Sequence, residues 1–75
     1  MKHYIKVIAE FNLEGQIIPL ALTLNDQRYK IDKVKFISTA ASLKSGGQGL
    51  RYTCKINGKE WYLFLEDNRW FIDRI

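Results

Sequence analysis

"LRYTCKINGKEWYLFLEDNRWFI", residues 50–72, decides the fold. Asn57-Gly58 is a strong hairpin signal, because both central residues of a type I′ turn need positive φ, which Asn and Gly tolerate. A two-residue loop there sets Ile56 opposite Lys59, Cys54 opposite Trp61, Tyr52 opposite Leu63 and Leu50 opposite Leu65. Asp67-Asn68 reads the same way. It sets Leu65 opposite Trp70, Leu63 opposite Ile72, Phe64 opposite Phe71 and Glu66 opposite Arg69. Two independent turns therefore place one set of apolar residues on one face. They also set Lys55 against Glu60 and Glu66 against Arg69, pairs that favour the same register. The stretch predicts a three-stranded antiparallel meander.

The N-terminal half carries the same period of two. A turn at Asn25-Asp26 pairs Leu22 with Tyr29 and Leu20 with Ile31. A turn around Glu14-Gly15 pairs Phe11 with Ile18, Ala9 with Leu20 and Val7 with Leu22, unless a bulge at Gly15 slips the register. Tyr29 and Ile31 share one phase and Val34 and Phe36 the other, which predicts a bulge or sharp bend near Asp32-Lys33. Pro19 lacks an N–H and so belongs at an edge or a bulge. Residues 38–49, "STAASLKSGGQG", read as the longest loop, with a helical turn from Thr39 to Leu43. The expected architecture is a single all-β domain over residues 1–75. It is a six-stranded small barrel or roll of two three-stranded meanders, with an SH3-like barrel as its nearest analogue.

Seventy-five residues are near the lower limit for a self-sufficient core. One cysteine, Cys54, excludes an internal disulfide, and one histidine, His3, leaves no Cys/His zinc set. Packing or self-association must then stabilise the fold, and 47% apolar residues with 13% aromatics supply the material. Lys6 and Glu10 interrupt the apolar N-terminal residues, so that stretch is neither a secretory core nor a membrane span. A single thiol without a signal sequence points to the cytoplasm and to no membrane partner.

No catalytic constellation emerges. Lys44 precedes the glycines of "SGGQG" (45–49), whereas a phosphate loop needs Gly-Lys-Ser/Thr opening a helix. Glu60 and Glu66 each face a basic residue in the derived register, and Cys54 lies beside Trp61 with no base to activate it. The expectation is a protein without enzymatic activity, cofactor or metal.

One feature of residues 50–72 exceeds what a half-buried strand needs. Arg51, Thr53, Lys55, Tyr62, Phe64 and Phe71 share the face opposite the core. Aromatics beside basic residues on an open sheet are a stacking surface for single-stranded nucleic acid. Three aromatics on a second face are more often covered by another segment or a second subunit, and the small chain's need for burial favours that reading. The strand carrying Tyr4 and Ile8, or residues 38–49, would be the cover within the chain. Charge bears on the same choice. Residues 28–59 hold eight basic side chains and one acid, within a net +4 for the chain. Such asymmetry fits an anionic partner, or a solvated surface that keeps a small β protein soluble.

Tyr29, Ile31, Val34, Arg51, Tyr52 and Trp70, spread over "IIPLALTLNDQRYKIDKV" and "LRYTCKINGKEWYLFLEDNRW", form an outline covering roughly residues 17–75. It resembles a group of short bacterial β proteins, some encoded beside Y-family translesion DNA polymerases. The group often has tryptophan soon after the valine, where this chain has Phe36. The resemblance implies a shared fold and transfers no catalytic residue. Together these readings predict an interaction or accessory module that binds itself as a homodimer or another protein. The alternative is a nucleic-acid-binding small β-barrel using the basic-aromatic face.

Overall fold

A computed structural model describes residues 3–41 and 48–74. Seven strands form one antiparallel sheet: β1 (Tyr4–Phe11), β2 (Ile17–Leu24), β3 (Gln27–Lys30), β4 (Lys33–Ala41), β5 (Gln48–Ile56), β6 (Lys59–Glu66) and β7 (Arg69–Arg74). Their spatial order is β3-β2-β1-β7-β6-β5-β4, and the sheet curls into a half-barrel. The all-β class is as expected, but the six-stranded barrel or roll of two meanders is replaced by one sheet of seven strands in an open curl. The extra strand arises because the expected third strand divides. Residues 27–30 pair with β2 and residues 33–41 pair with β5. At the break, the Ile31 N–H donates to the Leu20 carbonyl at 3.0 Å and the Asp32 N–H donates to the Lys55 carbonyl at 2.9 Å. Two neighbouring residues thus bond to strands at opposite ends of the sheet.

The C-terminal meander has the derived register throughout. All three two-residue turns place both central residues at positive φ: 53° and 62° at Asn25-Asp26, 54° and 79° at Asn57-Gly58, 52° and 63° at Asp67-Asn68. These values match the right-handed strand twist, so the turns specify pairing as well as reversal. In the first hairpin, Val7 pairs with Leu22 as expected, but Ala9 pairs with Pro19 and Phe11 with Ile17. The slip lies at Ile8/Ala9, leaving Leu20 as the extra residue beside Pro19, not at Gly15. Gly15 does have φ 81°. Its loop is shaped by Asn12, whose Oδ1 accepts the N–H groups of Glu14 (3.0 Å) and Gln16 (2.8 Å). A second irregularity between Val34 and Phe36 puts those residues on opposite faces, where a shared phase is the sequence expectation. Of the expected loop, residues 38–41 and 48–49 are strand, and residues 42–47 lie outside the described residues, so the expected helical turn from Thr39 is strand as far as Ala41.

The inside of the curl holds Leu22, Ile31, Tyr52, Cys54, Ile56, Leu63 and Leu65, with Trp61, Trp70 and Ile72 packed against them. Among the described residues no helix is long and apolar enough to cross a membrane. Tyr52, Cys54 and Leu63 have no exposed surface. Burial pushes the Cys54 thiol up to about 11 from its ordinary 9.0 and also raises the Tyr52 phenol, with Cys54 adding to the latter. The folded state therefore holds the thiol proton more tightly than the unfolded state does. That contribution is complete below pH 9 and is lost as pH rises through 11. At about 1.4 kcal/mol per unit, it amounts to at most about 3 kcal/mol. The midpoint of urea unfolding should fall across this window, and Cys54→Ala should flatten the first part of the fall. A midpoint equally steep in both proteins would contradict this role.

Candidate interaction surface

Alternation along β5, β6 and β7 sends every second side chain outward. Cross-strand pairing lines these up in rows. One row runs Ser38, Arg51, Phe64, Phe71, Tyr4 across five strands. The next runs Phe36, Thr53, Tyr62, Asp73. The structure brings Arg51, Tyr62, Phe64 and Phe71 together as expected. Phe64 and Phe71 stack in parallel, with centroids 4.7 Å apart and planes 6° apart. Tyr62 meets Phe64 edge-on at 6.2 Å, and Tyr4 meets Phe71 edge-on at 5.9 Å. Guanidinium groups close both ends, Arg51 lying 4.7 Å over the Tyr62 ring and Arg69 4.2 Å over the Tyr4 ring. The result is one continuous strip, with cation–π contacts at its limits.

Thr53 differs from its companions. It is only 5% exposed, the floor of the face rather than a contact point. Lys55 is exposed and opposite Glu60, whose carboxylate bonds to Lys35 Nζ. That hydrogen bond, followed by the Lys35 charge, holds the Glu60 carboxyl below its ordinary range. Three residues of the strip lie outside the sequence-derived set: Tyr4, Arg69 and Phe36. Tyr4 joins because β1 pairs with β7, which sets it beside Phe71 instead of over it. All seven described strands belong to one sheet that curls away from this face, so no described strand covers it. Tyr4 is 43% and Phe36 58% exposed, whereas Tyr62, Phe64 and Phe71, packed on their neighbours, are half-buried.

Three polar atoms beneath the strip, Ser38 Oγ, Arg51 Nε and Thr53 Oγ1, are buried without a hydrogen-bond partner. They are neighbours across β4 and β5. An unpaired buried polar group costs about 1–3 kcal/mol relative to a paired one. Among the described residues no group of three His, Cys, Asp or Glu could hold a metal ion. Compared with known proteins, the chain matches no protein-family model, no curated protein and no solved structure.

Thr53→Val removes the unpartnered hydroxyl while keeping a β-branched side chain of the same shape. Chemical denaturation should show it to be neutral or more stable, by up to about 1 kcal/mol. A loss of more than about 1 kcal/mol would show that the hydroxyl is satisfied in solution.

Proposed function

We propose that the protein is a non-catalytic interaction module that pairs with a second copy of itself through the outward face of β1, β7, β6 and β5. The observation carrying this reading is the continuous aromatic strip on the outward face, with Tyr4 and Phe36 exposed at its margins. A chain of this length has little core to spare, and a second copy would bury the apolar surface that its own strands leave open. Charge supports a copy as the occupant. On the outward face of β5–β7, Arg51, Lys55 and Arg69 stand with Glu60, Glu66 and Asp73, three of each sign. Two such faces meet without net repulsion, although the whole chain is +4.

The ring geometry bears on the competing reading, a surface for single-stranded nucleic acid. A stacked nucleobase needs a free ring face. Phe64 and Phe71 each cover one face of the other, and Arg51 and Arg69 each lie on one face of a tyrosine, which reduces the free ring surface. What favours nucleic acid is the neighbouring margin, where Lys33 and Lys55 pair across β4 and β5 beside the exposed Phe36.

Sedimentation velocity over about 1–300 µM, a range suited to micromolar self-association, separates these readings. The expected outcome is a concentration-dependent dimer that Phe71→Arg returns to monomer without loss of β-sheet circular dichroism. A strict monomer throughout the range would contradict the proposal. Anisotropy of labelled single strands is expected to show no salt-sensitive binding, and a steep salt dependence would favour nucleic acid instead.

A further inference from the structure

The inside of the half-barrel is not filled to its end. Near the Asn25-Asp26 and Asn57-Gly58 turns it holds a cavity of about 320 Å³. Leu22 and Leu24 from β2 and Tyr29 from β3 form one wall, and Ile56, Trp61 and Ile72 from β5, β6 and β7 form the other. The gap follows from the topology. β3 has four residues, after which Ile31 and Asp32 carry the chain across to β5. The two walls are therefore tied together at that crossing and separate beyond it.

The size falls at the lower end of the range for small-molecule pockets, and the composition is that of one: apolar and aromatic walls with few polar groups. Lys59 and Asn57 complete the lining. Lys59 is exposed, and its ammonium is the one charge among the described lining residues. The adjacent Asp32 carboxylate is engaged, accepting the Asn57 backbone N–H at 3.0 Å. The Tyr29 hydroxyl donates to Gln27 Oε1 at 3.1 Å, which holds its ring against the β3 wall. Apolar walls give a sugar or nucleotide few partners, and the Lys59 ammonium in the described lining disfavours a cationic ligand. An apolar body with one anionic head matches both features.

We propose that this cavity binds a small amphipathic carboxylate, its hydrocarbon between Leu24 and Trp61 and its carboxylate at the Lys59 ammonium. The site lies inside the curl, opposite the aromatic strip, and does not depend on the dimer.

Decanoate below its micellar concentration is the probe, followed by amide chemical shifts and tryptophan emission. Saturable shifts are expected at Leu24, Tyr29, Asn57 and Lys59. Lys59→Gln, a surface change that leaves the fold intact, should weaken decanoate about 2–5-fold, the size of a solvent-exposed ion pair, and leave decanol unaffected. Leu24→Trp, checked by circular dichroism, should fill the cavity and remove both ligands. Three results would overturn the proposal: no saturable shift, decyltrimethylammonium binding as tightly as decanoate, or shifts concentrated at Phe64 and Phe71.

Discussion

The Tyr52 hydroxyl donates to the Ile17 carbonyl at 2.5 Å, and the curl of the sheet depends on this bond across its interior. Tyr52 is on β5 and Ile17 on β2, the second strands from the two ends of the sheet. Tyr52 has no exposed surface and its ring lies 5.3 Å from that of Trp70. A hydroxyl so deeply buried is costly unless it has a partner, and the same holds for a carbonyl turned toward the inside. Each satisfies the other only when the sheet is bent enough to bring its ends together. Ile31 and Asp32 fasten the same two ends through the backbone, at Leu20 and Lys55. The half-barrel is thus held at two places by hydrogen bonds that a flat sheet could not make.

From that bend follow both surfaces. Curling draws apolar side chains of all seven strands into one cluster and turns the outward set away from the rest of the single sheet. The aromatics there cover one another and their flanking guanidinium groups, which reduces exposed ring surface without removing it. The lumen, in turn, closes well around Tyr52 and less well toward the turns, where the chain has crossed to the other end of the sheet. The outward aromatic strip and the inward cavity have the same origin.

Local geometry made much of this legible from residues alone. Three turns able to hold paired positive φ values determined the pairings next to them, because a two-residue loop admits few registers. The candidate face was legible for the same reason, since Tyr62, Phe64, Phe71 and Arg51 follow from two turns and a period of two. Long-range pairing was not. Nothing near Tyr4 signals that β1 lies beside β7, so Tyr4 read as a cover for the strip it extends. The bulges at Leu20 and near Lys35 depend on how distant strands meet. The role of Asp32 was half visible: a break in phase marked the place, but not that the chain changes partner there. Arg51 reaches diagonally to Tyr62 rather than to Phe64 directly across, a rotamer choice that strand register leaves open.

The tie between Tyr52 and Ile17 is tested most directly by Tyr52→Phe, which removes one oxygen and leaves the packing. Amide hydrogen exchange of both proteins under native conditions, alongside urea unfolding, separates a local tie from a general loss. We expect a loss of about 1–2 kcal/mol. Exchange should quicken most at the amides of β2, Ile31 and Asp32, with the β5–β6–β7 meander keeping its order of protection. Unchanged stability, or a uniform increase in exchange across all seven strands, would contradict a fold held in its curl by this bond.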